Sequence, residues 1–563
     1  MKSNNTRNIV IIVCLFGIVA CLLLLIPQIR QIIIRITEEL LMHRTLKDHG
    51  KWNQVLFRIS INGSIFLVFF LYVVLFVDYK KYLTYIKNEI QKVFCKNIVI
   101  GILCMFGLYT FAIISIIRAD LLYIDDLGRT IDGYRGWNNF SRYISDFLAV
   151  FIHADTHITD ISPLPQIIAV LFIAIASVLL VYIISEGKVT KIACFLSLPI
   201  GLSPYFLECF SYKFDAPYMA LSVLASIVPF LFMRNYVVYS ISSIISLLIM
   251  NMTYQASSGI YIIIVIMLCF KAWNERKKPN GEIIRFAFIS AFSYCTSMFY
   301  FRLFLMKSYD GYVSTGIYPF HKLLPGIINN FINYMKLVNE DFGFIWKFLL
   351  FVLCLTFIFS SVLITKRNKF TALTGSFSVI TVMCFMSFGV FLTLLRPLFQ
   401  PRAMYGFGVF ISCIAVYLSN IPKKIILIPA VLLCWCFFVF SFTYGNALSE
   451  QKRYNNFRTE ILLHDLSTLF PDRTEKPLLI RLENSEGFAP SIQNIAIQNP
   501  VIHRLVPVNL AAGWQWSNII LTSYYNFNLE QDENIEEDGL NEVFNSYYHM
   551  IKSDGRKVLV ILK

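Results

Sequence analysis

Apolar runs close to 20 residues recur along most of this chain, and that recurrence constrains its fold more than any other feature. A helix rises ~1.5 Å per residue, so about 20 apolar residues cross the ~30 Å hydrocarbon layer of a bilayer. The runs fall at Ile9–Ile29 and near 60–77, 97–117, 164–185, 190–207, 216–233, 236–251, 257–270, 285–305, 345–365, 372–394, 403–419 and 423–443. They predict an α-helical polytopic membrane protein with about thirteen transmembrane helices. Of 563 residues, 57% are hydrophobic and 15% charged, which excludes a string of soluble domains over most of the length. The first run is too long for a secretory signal core and no small-residue cleavage site follows it, so it reads as a retained anchor.

Charge placement gives the topology. Lys80, Lys81, Lys87, Lys92 and Lys96 share one loop, and Lys188 with Lys191, Arg234, Lys271 with Arg276 to Lys278, Lys366 with Arg367, and Lys423 with Lys424 fill every second loop beyond it. The positive-inside rule puts these loops, and the N-terminus with Lys2 and Arg7, in the cytoplasm. The net charge of +14 is then a topology signal, and nucleic acid is excluded as a partner. The external side receives the long loop 118–163, the turns near 204–215, 251–257 and 395–402, the segment 306–343 and everything beyond 445. The segment 31–59, alternating Ile and Leu with Arg and Glu, is expected to lie along the interface.

Thirteen cysteines sit almost entirely within apolar runs, with neither metal-ligand nor disulfide spacing, and read as small core residues. The chain divides into a membrane anchor region over 1–96, a transmembrane domain over 97–444 and a soluble α/β tail over 445–563. In the tail, Asn446–Leu469 reads as an amphipathic helix, Pro477–Leu482 and Lys557–Leu562 as strands, and the acidic cluster Glu530–Glu537 as a solvated loop.

Charge near a membrane surface is expensive, so its recurrence on one side marks a site. Five clusters fall on the external side. Asp125 and Asp126 precede Arg129, which shares their face if the stretch is helical. Trp137 and Arg142 follow, with Asp146, His153 and Asp155, and then Asp160-Ile161-Ser162-Pro163. Glu208, Tyr212, Lys213 and Asp215 close the next external turn, Tyr254 and Gln255 another, and Arg396, Gln400 and Arg402 the last. Paired carboxylates offer a general base, arginine forks suit phosphate, and the aromatics Tyr134, Trp137, Tyr205, Tyr212 and Tyr254 offer stacking faces for sugar rings. The bland alternatives are an exposed acid pair, headgroup-binding arginines and an interfacial aromatic belt. Together the clusters point to an outward cavity for a lipid-linked phosphate with a polar head.

The order Asp125-Asp126, Arg129, Gly133, Trp137, Arg142, then Asp160-Ile161-Ser162-Pro163, then Pro204-Tyr205, Glu208, Ser211-Tyr212-Lys213 and Asp215, then Tyr254-Gln255-Ala256, Gln400-Pro401-Arg402 and Tyr444-Gly445-Asn446-Ala447 with Gln451 resembles the Gtr family. These are the serotype-converting O-antigen glucosyltransferases of Gram-negative bacteria and their phages. The resemblance covers about 118–455, with Ser141 and Ser203 standing where members commonly carry Gly and Asn. It implies a C-type (GT-C) glycosyltransferase fold in the bacterial inner membrane. It also implies an undecaprenyl-phosphate sugar donor, typically glucose, an O-antigen or lipopolysaccharide acceptor in the periplasm, and a functional link to a flippase and a donor synthase. No glycine-rich nucleotide loop is present, in keeping with a lipid-linked donor.

On that reading Asp125 or Asp126 takes the acceptor proton, and a single displacement inverts the anomeric carbon. Arg129, Arg142, Lys213, Arg396 and Arg402 are the candidate phosphate contacts. No cofactor is firmly implied, and the adjacent aspartates leave a divalent cation open. Two other classes stay open: an O-antigen polymerase or ligase, and a transporter of lipid-linked sugars. An acyltransferase would want a catalytic histidine paired with an acid, and the eight histidines offer none.

Overall fold

The computed structural model describes residues 17–40, 79–471 and 477–563, with scattered positions between 53 and 68. The expected span near 60–77, the first half of the run Ile9–Ile29 and most of the interfacial segment 31–59 lie outside the described residues. The chain forms two units, one of residues 1–94 with 299–306 and one of residues 95–298 with 307–563. In the first, the helices Gly17–Leu23 and Pro27–Ile34 meet at 95°. Arg30 donates to the carbonyls of Leu24 and Leu25 at that break, at 2.8 and 2.9 Å.

The chain is mostly helical, as its periodicity demands. Among the described residues seven helices are long and apolar enough to cross a membrane: Lys96–Ala119, Leu164–Ile184, Gln255–Asn274, Asn280–Leu305, Phe344–Ile364, Lys369–Met386 and Lys424–Leu469. The number is nine if two bent pairs each count as one span. About thirteen are expected from the apolar runs; the run near 60–77 lies outside the described residues, and several of the others are bent or shortened for local reasons. The run near 190–207 is broken by 62° at Ser203-Pro204, into Lys191–Leu202 and Pro204–Ser211, because proline lacks the amide that would continue the helix. Ala216–Phe232, Tyr236–Asn251 and Gly406–Ser419 are apolar helices of only 10–17 residues. The run 372–394 stops at Met386, before a 3-10 turn at Gly389–Thr393.

The second unit is built around a chain of packed helices: Ala216–Ile227 on Leu164–Ile184, that helix on Lys96–Ala119, and Lys96–Ala119 along the long helix Ile428–Leu469. Small residues allow the approach. Ser115 Oγ donates to the Ser441 carbonyl at 3.1 Å and Ser441 Oγ to the Ala112 carbonyl at 2.9 Å. A Cβ on Gly445 would stand 2.3 Å from Ser115 Oγ, so this crossing needs glycine.

The predicted external and cytoplasmic loops separate into two sets. Lys277 pairs with Glu186 at 2.7 Å and Lys366 N donates to the Asn274 carbonyl at 3.0 Å, joining loops expected on the inner side. Lys213 joins Asp160, Arg402 joins Glu208, and Arg142 lies against Tyr254, all from loops expected outside. The segment 306–343, expected as an external connection, contains the helix Phe320–Asp341. Asn330 and Tyr334 on this helix donate to the carbonyls of Leu392, Leu394 and Leu398, fixing the strand of chain that leads into Arg402.

The tail is not set off by a linker at 445. One 42-residue helix, Ile428–Leu469, carries the chain out of the membrane segment and into the tail. There Leu462 and Leu466 pack on a five-stranded sheet of order β2-β1-β5-β4-β3. The strands are β1 (Leu478–Glu483), β2 (Leu529–Gln531), β3 (Asn541–Asn545), β4 (His549–Ser553) and β5 (Lys557–Leu562). Both strands expected from sequence are present, and they pair in parallel with Ile480 opposite Val558. The acidic cluster differs from a plain solvated loop. Its start, Glu530 and Gln531, belongs to β2, and Ile535 is fully buried, its carbonyl accepting from Arg481 at 2.6 Å.

Candidate functional site

The site begins where the chain leaves Lys96–Ala119. Ile124, a β-branched residue, sits at φ 50°, ψ −101° and turns the chain into the helix Asp125–Asp132. That conformation costs about 1–3 kcal/mol and persists only where surrounding contacts hold it. The helix is short and amphipathic. Leu127 faces the tail's Trp516 and Ile520, while Asp126 and Arg129, one turn apart, are buried on the other side.

The two aspartates are not equivalent. Asp126 is fully buried and holds the following external turn in place: its Oδ2 accepts from Lys213 N at 2.9 Å and Tyr123 N at 3.2 Å, and its Oδ1 from Phe214 N at 3.5 Å. Burial pushes its carboxyl up to about 8, against the pull of the Lys213 amide and the Arg129 charge. Asp125 is partly exposed and has no hydrogen bond or ion pair among the described residues. Burial raises its carboxyl above the ordinary range too, opposed by the charges of Arg129, Arg402 and Arg142 and reinforced by Asp215. One carboxylate is a structural clamp. The other has no such commitment among the described residues.

Arg129 forms a buried ion pair with Asp215, whose other oxygen accepts from Trp137 Nε1 at 2.5 Å. The guanidinium lies 4.5 Å from the Trp137 ring centre. Arg402 pairs with the fully buried Glu208 at 2.9 Å through Nη1 and donates its own amide to the second Glu208 oxygen. Its guanidinium lies 5.3 Å from the Tyr212 ring. Arg142 differs from both. It lies 4.5 Å from the Tyr254 ring and 5.3 Å from Phe140, its Nε, like that of Arg129, is buried without a partner, and it has no carboxylate partner among the described residues. Its charge, unmatched by a carboxylate among the described residues, acts on Asp125.

Other residues singled out from sequence are placed differently. Lys213 Nζ is taken up by Asp120 at 2.5 Å and Asp160 at 2.9 Å, so it closes the floor of the loop and offers no free charge to a phosphate. Arg396 is exposed, paired with exposed Asp310, away from the buried ion pairs. Gln400 is exposed, and Gln255 Nε2 donates to the Phe140 carbonyl at 3.3 Å. The stretch with Asp125 and Arg129 is helical, which is the condition for their sharing a face.

Two groups at the site, Tyr123 and Arg504, carry no sequence signal, and Tyr444 is marked only by the family resemblance. Tyr123 OH donates to the Leu505 carbonyl at 2.8 Å, and Tyr444 OH to the same carbonyl at 3.2 Å. The neighbouring Arg504 pairs with Asp341 and donates to the Phe399 carbonyl at 2.5 Å. One turn of the tail, Ile502–Leu505, is thus lodged among the helix ends that carry the site.

The donor set does not suit a divalent cation. The Asp126 oxygens are occupied by backbone amides, which leaves Asp125 alone of the adjacent pair to offer oxygens, and the groups acting on it most strongly include three guanidiniums. Among the described residues no cluster of three or more His, Cys, Asp or Glu has a metal-binding arrangement.

Comparison with known proteins adds an independent line. The family model described as "Glucosyl transferase GtrII" matches residues 114–413, which contain every residue of the site described above up to Arg402. A protein of Salmonella phage P22, described as an uncharacterized 55.3 kDa protein in the gtrB 5′ region, is 26% identical over 439 residues, covering 74% of this chain and 87% of its own. No solved structure matches.

Proposed function

The chain belongs to the glucosyl transferase GtrII family, and from that premise we propose that it transfers glucose from undecaprenyl phosphate to an O-antigen chain of lipopolysaccharide at the periplasmic face of the inner membrane. The observation that carries this reading is a carboxylate, Asp125, and a guanidinium, Arg142, that lack ion-pair partners among the described residues and act on one another electrostatically, where Arg129 and Arg402 are each matched by a buried carboxylate.

In the proposed reaction an acceptor hydroxyl attacks the anomeric carbon as its proton passes to Asp125. The bond from that carbon to the lipid phosphate oxygen breaks, and its electron pair leaves with the phosphate. Charge grows on the phosphate as the bond breaks, so Arg142 stabilises the transition state more than the ground state. Arg129 and Arg402 are already neutralised by Asp215 and Glu208. Their work is to hold the aromatic walls and bias the field. A single displacement inverts the anomeric configuration. The donor comes from a synthase and a flippase acting upstream. The N-terminus lies in the cytoplasm and the tail in the periplasm.

The test is transfer by the purified chain in proteoliposomes, offered either polyprenyl-phosphate [3H]glucose or a nucleotide-linked glucose with an O-antigen acceptor. Label reaches the acceptor from the lipid phosphate alone. Transfer from the nucleotide sugar without the lipid would sink the reading.

A further inference from the structure

A cavity of about 280 Å³ lies on the far side of the helix Asp125–Asp132 from Asp126 and Arg129, between that helix, the long helix around 452–459 and the tail. It is near the lower end of the ~300–1,000 Å³ range of small-ligand pockets. We propose that this cavity binds sugar residues of the acceptor glycan, so that the tail is an acceptor-recognition module. The proposal rests on the glycosyl-transfer reading above.

Four aromatic residues from one short tail segment, Trp514, Trp516, Tyr524 and Tyr525, line the cavity opposite Ile124, Leu127 and Thr130 of the helix. Gly128 makes the approach possible, since a Cβ there would stand 2.7 Å from the Trp516 ring. Trp514 and Tyr525 are half-buried, and neither the indole N–H nor the phenol has a hydrogen-bond partner among the described residues. Asn456, on the opposite wall, likewise keeps its amide free. Flat apolar faces beside unspent donors and acceptors match a pyranose ring, with its C–H face and equatorial hydroxyls.

The charges in the cavity argue for a neutral ligand. Asp120, Asp160, Lys213 and Lys452 line one end, and they spend themselves on one another: Lys213 on Asp120 and Asp160, Lys452 on Asp120 at 3.3 Å. Nothing is left for a phosphate. A lipid chain would demand an apolar lining, which the free amide, indole and phenol groups deny. The phosphate end of the donor has its cation at Arg142, and the cavity here supplies what that site lacks, a surface for sugar alone.

The experiment uses the full chain in nanodiscs, with O-polysaccharide released by mild acid from the host's lipopolysaccharide as the probe. Saturation-transfer NMR reads binding without donor, in an Asp125→Asn background in which turnover is expected to be slow. Steady-state kinetics read transfer in the otherwise wild-type chain. Trp514→Ala and Asn456→Ala are each expected to raise the acceptor KM tenfold or more and to remove the NMR signal, with donor KM and kcat within twofold. Trp514→Phe, which keeps a ring, restores most of the binding and controls for folding. An acceptor KM that stays put, or one that moves together with donor KM in all three variants, overturns the proposal. Binding that depends on Trp514 in a chain that transfers no glucose keeps this cavity and sinks the reaction. Transfer with glycan binding indifferent to Trp514 does the reverse.

Discussion

Arg504, in the tail, forms an ion pair with Asp341 at the last turn of the helix Phe320–Asp341, and its second terminal nitrogen donates to the Phe399 carbonyl at 2.5 Å. The Asp341 side chain is almost wholly buried, so the pair fixes the tail against the chain leading to Arg402. Arg504→Ala leaves a buried carboxylate alone and is expected to cost about 3–5 kcal/mol. The double variant with Asp341→Asn, which removes that charge, costs less than Arg504→Ala alone. Thermal unfolding of the detergent-solubilised chain measures both. Equal losses in the single and the double variant would show that the pair is not coupled.

The unequal surroundings of the two aspartates separate two substitutions that the sequence alone treats alike. Asp125→Asn removes an uncommitted carboxylate and is expected to lower kcat by ~10²–10⁴ with stability unchanged. Asp126→Asn places an amide N–H against the backbone donors of Tyr123, Lys213 or Phe214 and is expected to destabilise by about 1–3 kcal/mol. Activity assays run beside thermal melts distinguish the two. A melt lowered by Asp125→Asn, or a full-stability, inactive Asp126→Asn, would exchange their roles.

Much of this site is legible in the sequence because membrane burial makes charge conspicuous. Asp125, Arg129, Arg142, Glu208, Asp215 and Arg402 stand out in apolar surroundings, and the structure gathers them. Lys213 and Arg396 stand out equally well and are spent on Asp160 with Asp120 and on Asp310, because pairing across loops far apart in the chain leaves no local pattern. Arg504 and the aromatics of 514–525 lie in a mixed polar stretch, where a charge or ring carries no cost that would mark it. The fold reads similarly. The strands at 478–483 and 557–562 are visible as β-branched runs and the break at Ser203-Pro204 is marked by its proline, whereas the unbroken helix through 445 depends on packing that hydropathy does not report.

The raised carboxyl of Asp125 has a consequence for rate. A base works when deprotonated, so kcat/KM falls as pH drops through its pKa, and that acid limb is expected above the ordinary aspartate value of about 4. Arg142 pulls that pKa down without being tied to any carboxylate. Arg142→Gln is therefore expected to move the acid limb to higher pH and to raise donor KM. A pH profile of kcat/KM for the two proteins checks the direction. A limb that shifts down, or stays fixed while donor KM rises, would remove Asp125 as the titrating base.

Glu486 provides a test of the tail alone. Its Oε1 accepts from the amides of Asn509 and Leu510 at 2.8 and 3.0 Å, while Oε2 is buried without a partner. Burial pushes the carboxyl up to about 8. A group whose pKa is higher folded than unfolded binds more protons in the folded state. Its stabilising contribution is complete below the unfolded value of about 4.3 and is lost as pH rises to about 8. Glu486→Gln keeps the amide contacts and removes the titration, so its stability is expected to be flatter over that window and higher than wild type above it. Melting temperatures of the two proteins between pH 5 and 9 decide the point, and parallel curves would place the titration elsewhere.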